Sequence, residues 1–110
     1  MDISVESVEE VVLVRIVGDV DGSTAPQAQN QIMPLVQPGS KILLDMSGVP
    51  YMSSAGLRML LSTYRQVANQ NGRIALIGLA EELKDTMEVT GFLKFFTSCE
   101  TVDEGLKALK

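Results

Sequence analysis

The sequence predicts a mixed α/β domain built on a largely parallel sheet, and three patterns carry that prediction. Strand-like and helix-like segments alternate in the order β-β-α-β-α-β-α-β-α, as in sheets with helices packed on them. Two of the strand-like segments, Lys41 to Met46 and Arg73 to Gly78, are nearly unbroken apolar runs, the mark of strands covered on both faces. The first two segments are separated only by Glu9-Glu10, close enough to pair as a hairpin. With 110 residues, the whole chain (1–110) is expected to form a single domain around one core.

Residues 2 to 8 alternate Ile3 and Val5 with Ser4 and Glu6, predicting a half-buried strand near a sheet edge. Val11 to Val17 is rich in β-branched residues and reads as the second strand. The loop Gly18-Asp19-Val20-Asp21-Gly22 follows. Ser23 or Thr24 can cap the next helix, and Pro26 suits its first turn. Ala25, Ala28, Ile32, Leu35 and Val36 share one helical face, and Pro34 should kink or end that helix. After the turn at Gln37 to Ser40 and the strand Lys41 to Met46 comes the strongest helix. Its predicted apolar stripe is Leu57, Leu60, Leu61, Tyr64, Val67 and Ala68, opposed by Arg58, Thr63, Arg65 and Asn69. Asn71-Gly72 supplies its stop. The strand at Arg73 is followed by a helix over Glu81 to Val89 with Leu83 and Met87 inward, ended by Gly91. Phe95-Phe96-Thr97 reads as a short last strand. Thr101-Val102-Asp103-Glu104 is a capping box opening a terminal helix that buries Val102, Leu106 and Leu109.

Composition narrows the functional classes. The apolar fraction of 45% and charged fraction of 21% fit an ordinary globular domain, and no apolar run approaches the roughly 20 residues that span a bilayer. The N-terminus has neither the basic nor the apolar region of a signal peptide, and the lone Cys99 cannot form an internal disulfide, so a reducing, cytoplasmic setting is expected. A net charge of −5 with scattered basic residues argues against nucleic acid as a partner. There is no histidine, which removes His-based acid–base catalysis, His-containing triads and most zinc sites. Asp19, Asp21 and Asp45 could in principle gather a hard cation, but scattered aspartates more often satisfy loops and caps. No Gly-rich phosphate loop or G-x-S-x-G elbow is present. The expectation is a non-enzymatic protein with no metal and no cofactor.

The stretch Asp45 to Arg58 is what the chain is organised around: the end of a buried strand, a surface loop, and the start of the best helix. Ser53 and Ser54 stand at that helix N-terminus, where backbone amides are unpaired and the macrodipole is positive. Either serine can simply cap the helix. Either can also be a phosphoacceptor, because a phosphate there would meet the same amides. Loops at strand C-termini gather functional groups in α/β sheets, so the loops Asp19 to Gly22 and Ser47 to Ser53 are expected side by side.

Asp45-Met46-Ser47-Gly48-Val49 followed by Met52-Ser53-Ser54-Ala55-Gly56-Leu57 resembles the signature of anti-sigma factor antagonists, members of the STAS domain family shared with sulphate transporters. The resemblance covers essentially the whole chain and implies a STAS-like mixed sheet. It implies a binding protein that, unphosphorylated, binds an anti-sigma factor serine kinase and so frees a sigma factor for transcription, with a serine phosphatase to reset it. The family's phosphoserine falls on Ser54, fixed in register by Gly56-Leu57. Asp21, Ser53, Ser54 and Gly56 fall on the partner-binding surface. Ser53 stands where well-known members carry aspartate, and Ala55 where they carry a hydroxyl. A STAS scaffold or regulatory module without a phosphoserine switch is the alternative, and a small-ligand or nucleotide sensor is a third reading. The chain is expected to be a monomer without a membrane partner.

Overall fold

Five strands and four α-helices follow one another in the expected order in the computed structural model, which describes residues 1–110. β1 (Asp2–Val8) and β2 (Val11–Val17) pair antiparallel, with Glu9 and Glu10 at φ of 50° and 72° making the tight turn. β2, β3 (Lys41–Gly48), β4 (Arg73–Ile77) and β5 (Thr97–Cys99) are parallel to one another, and spatial order equals chain order, β1-β2-β3-β4-β5.

That order decides where the helices lie. Parallel crossovers are right-handed, so a sheet that grows always in one direction places its successive crossover helices on one face. Accordingly α1 (Ala25–Ile32), α2 (Ser54–Asn69) and α3 (Glu81–Val89) share the larger core, where Ile32, Leu60 and Met87 meet Ile42, Leu44 and Leu76. α4 (Val102–Ala108) follows the last strand and folds to the other face, with Leu106 and Leu109 over Val11, Leu13, Leu43, Ala75 and Ile77. β3 serves both cores by its period of two, with Ile42, Leu44 and Met46 on one face and Leu43 on the other. α4 can lie this close to the sheet because Gly105 has no side chain; a Cβ there would meet Leu43 Cδ1 at 2.6 Å.

Helix ends follow their chemistry. α1 ends at Ile32, and Pro34 sits in a 3-10 turn over Met33–Leu35, as the proline predicts. α2 ends in a Schellman motif, Gly72 N donating to Val67 O and Asn71 N to Ala68 O, with Asn71 in the left-handed region at φ 57°. The predicted capping box is present: Thr101 Oγ1 accepts from Glu104 N, and Glu104 Oε1 accepts from Thr101 N.

Three expectations are corrected. The last strand is Thr97–Cys99, not Phe95 to Thr97, because Leu93–Phe95 forms a 3-10 turn. Both phenylalanines pack against Tyr64 of α2, with ring centroids 5.5 and 5.6 Å away, and that tertiary packing overrides their strand propensity. Val5 pairs with Val14 on the edge strand and is exposed rather than half-buried. On α2 the buried face is rotated by roughly a quarter turn from the predicted stripe. Met59 and Thr63 are buried, whereas Leu61 is only half-buried and Ala68 is exposed. Thr63 tolerates full burial because its hydroxyl donates to Met59 O, one turn back, at 2.9 Å.

Candidate functional site

β2 and β3 are adjacent and parallel, so the loops leaving their C-terminal ends emerge together. The two loops are tied by a bridge between Val20 and Met52. Val20 N donates to Tyr51 O at 3.0 Å, and Ser53 N donates to Val20 O at 2.8 Å. Asp21 follows Val20 and Ser53 follows Met52, so one short stitch sets both loops. Gly56 lies beneath it. A Cβ at Gly56 would collide with Met52 Cγ and come within 2.8 Å of Val20 O, so glycine is what lets α2 start here. Gly56 is therefore buried under the bridge, unlike the other three residues expected on the partner surface.

Asp21 is the residue that closes the turn into α1. Its Oδ1 accepts from Ser23 Oγ at 2.7 Å, Ser23 N at 2.9 Å and Thr24 N at 3.1 Å, while its own amide donates to Thr24 Oγ1 at 2.9 Å. The capping role that the sequence allotted to Ser23 or Thr24 thus belongs to Asp21. The Ser23 hydroxyl, then the Ser23 and Thr24 amides, hold the Asp21 carboxyl below its ordinary value. Asp21 is half-buried and remains at the surface.

Of the two serines at the head of α2, Ser53 takes the capping role. Ser53 is the N-cap, extended at φ −80° and ψ 177°, and its Oγ accepts from Gly56 N at 3.4 Å. Ser54 is the first helical residue. It is exposed, and its hydroxyl takes part in none of the chain's hydrogen bonds. The first bond of the helix runs from Leu57 N to Ser53 O, so the amides of Ser54 and Ala55 precede the ladder and have no helical acceptor.

Between the first turns of α1 and α2 lies an open groove of about 320 Å³, bordered by Gly22, Pro26 and Gln29 on one side and Ala55, Arg58 and Ser62 on the other. Arg58 is exposed and forms none of the four ion pairs in the molecule. Sequence reading placed Arg58 only on a polar helix face. The groove depends on how two helices pack, which no local pattern reports. Asp45 is elsewhere: it shares the α4 side of β3 with Leu43, where its Oδ2 is 3.5 Å from Arg15 Nε and its Oδ1 accepts from Ser47 N and Oγ. Asp19, Asp21 and Asp45 do not gather, and no group of three acidic, cysteine or histidine side chains could hold a metal ion. No helix is long and apolar enough to cross a membrane.

Residues 2–105 match the STAS domain. The chain is 30% identical over 105 residues to the anti-sigma-B factor antagonist of Bacillus subtilis, covering 96% of this chain and 95% of that protein. An anti-sigma factor antagonist from Mycobacterium paratuberculosis has the same fold with a TM-score of 0.85 at 27% identity, covering 98% of this chain and 92% of that one. A STAS domain protein from Planctomyces limnophilus has a TM-score of 0.89 at 19% identity over 99% and 98% of the two chains, a likeness of fold alone.

Proposed function

This chain belongs to the STAS domain family, and we propose that it is an anti-sigma factor antagonist gated by phosphorylation of Ser54. Unphosphorylated, it binds an anti-sigma factor that is itself a serine kinase, and that binding frees a sigma factor for transcription. The name and near-complete coverage of the Bacillus subtilis relative support the class of activity. The observation that carries the switch is the division of labour at the head of α2. Ser53 is spent on the cap, while Ser54 offers a free hydroxyl to solvent.

The chain supplies the acceptor and the partner supplies the catalysis, since no histidine or other base is poised on Ser54. In the transfer, Ser54 Oγ bonds to the γ-phosphorus of ATP, the bond to the β-phosphate oxygen breaks, ADP leaves, and the hydroxyl proton passes to a base of the kinase. A serine phosphatase reverses the state by directing water at phosphorus, releasing inorganic phosphate and restoring the hydroxyl. The phosphate adds about −1.5 to −2 charges. At the first helical residue it meets unpaired amides, so the fold persists. A partner surface shaped around a neutral hydroxyl, with Asp21 close by in the adjoining loop, does not accept that charge. Burying it unpaired costs several kcal/mol, enough to abolish a micromolar complex.

The test is incubation with the kinase encoded in the same host and ATP, followed by intact mass and site mapping. Ser54→Ala should accept no phosphoryl group and hold the kinase persistently. Ser54→Asp should stay folded by circular dichroism and bind at least tenfold more weakly. Phosphorylation of Ser54→Ala at the wild-type level would move the acceptor, first to Ser53. The presence of Ser53 and Ala55 where familiar members carry aspartate and a hydroxyl favours a second reading, a STAS interaction module without the switch. Stable partner binding that is indifferent to kinase and ATP would select it.

A further inference from the structure

Arg58 is the one charged side chain on the groove beside Ser54, and the function proposed above gives it no task. It lies one helical turn beyond Ser54, about 6 Å along the axis and about 40° around it, so the two side chains share the outward face of α2. Both are exposed. The Ser54 hydroxyl has no hydrogen-bond partner, and the Arg58 guanidinium has no carboxylate. The arginines and lysines that do form ion pairs, Arg15, Lys84 and Lys110, lie on other elements.

We propose that Arg58 reads the modification: it borders the α1–α2 groove when Ser54 is free and closes on the phosphate when Ser54 is phosphorylated. This rests on the phosphoserine reading and adds an intramolecular partner to it. An acidic group N-terminal to a basic one at i, i+4 is the favourable orientation on a helix, and a phosphate dianion with three acceptor oxygens suits the planar guanidinium fork. The consequence for regulation differs from simple repulsion. Phosphorylation would add charge at the tip of α2 and also withdraw Arg58 from the groove wall it shares with Ala55 and Ser62, changing two adjoining parts of the surface at once.

The experiment uses the full chain with phosphoserine installed at position 54 during translation, so that no kinase is needed. The second ionisation of the phosphate is followed by phosphorus NMR in wild type, Arg58→Gln and Arg65→Gln. Arg65 is on nearly the same helical face but about 16 Å further along, beyond contact. In wild type the phosphate should titrate below the roughly 6 of free phosphoserine. Arg58→Gln should raise it by about half a pKa unit, and Arg65→Gln should leave it in place. Fields from Asp21 and from the α2 amides are common to all three proteins and cancel in the comparison. Matching melting temperatures of unphosphorylated wild type and Arg58→Gln establish that the variant is folded. Equal titrations in wild type and Arg58→Gln would overturn the proposal, as would an equal rise in Arg65→Gln. Failure of any kinase to modify Ser54 would end the switch and leave this titration unaffected, so the two ideas fail separately.

Discussion

At Asp21 a single carboxylate oxygen closes the turn into α1 by accepting from the Ser23 hydroxyl and the Ser23 and Thr24 amides. Those bonds favour the ionised form, so the folded protein holds the carboxyl below its ordinary value. The sign of the pH dependence follows from linkage. A lowered folded value gives a contribution to stability that is complete once the pH is well above the unfolded aspartate value of about 3.9, and that is lost as pH falls through the folded value. Asp21→Asn keeps an oxygen acceptor of the same shape and removes the titration. Denaturation midpoints measured between about pH 2.5 and 5 should therefore fall less steeply with acid in Asp21→Asn than in wild type. Parallel acid limbs would mean that Asp21 does not contribute. The sequence allowed this capping role as the plain alternative to a partner-surface role for Asp21. The structure makes the two compatible, because the capped turn holds the carboxylate at the surface beside the Ser53–Ser54 loop.

Among the elements, α2 shows how far periodicity reads and where it stops. Its start, its length and its Asn71-Gly72 end were legible because caps and stops are local chemistry. Its buried face was legible only in part, because two overlapping stripes compete on the same helix. Leu57, Leu60, Leu61, Tyr64, Val67 and Ala68 are the more hydrophobic choice by residue type. The sheet keeps Leu57, Leu60 and Val67 of that stripe but receives Gly56, Met59 and Thr63 in place of Leu61, Tyr64 and Ala68. Gly56 decides it, since only that face can approach the Val20–Met52 bridge, and Thr63 fits once its hydroxyl is bonded within the helix. Two neighbouring leucines consequently separate. Leu60→Ala, at 1% exposure, should cost about 2–5 kcal/mol. Leu61→Ala, on the outward side, should cost about 0.5 kcal/mol or less. Urea denaturation of both variants checks this, and equal losses would restore the stripe read from the sequence. Leu61 then belongs with Ser54, Arg58 and Arg65 on the face that a partner can meet.

For the whole molecule, the legible part was topology and the illegible part was the depth at which its pieces interlock. Alternating patterns and the apolar runs of β3 and β4 predict the sheet, and adjacency of β2 and β3 accords with the tendency of consecutive strands to neighbour one another. That Asp21 and Ser54 ride on one stitch, the Val20–Met52 bridge with Gly56 packed beneath it, is a contact between segments over thirty positions apart, and no local signal carries it. The interlock has a consequence that single-site changes at either loop would miss. Gly56→Ala leaves Asp21, Ser53 and Ser54 chemically intact. Its Cβ would nevertheless meet the Met52 side chain and lie 2.8 Å from the Val20 carbonyl, which is main chain and cannot turn aside. Either α2 backs away or the bridge opens, at a cost of about 1–3 kcal/mol for an overpacked site. Because Ser53 N and Val20 O are bonded across that bridge, the displacement reaches both loops. Amide chemical shifts should therefore move together at residues 18–24 and 49–56, and phosphoryl transfer to an untouched Ser54 should fall. Shifts confined to α2, with 18–24 unmoved, would show that the loops are set independently and that Asp21 and Ser54 do not form one surface.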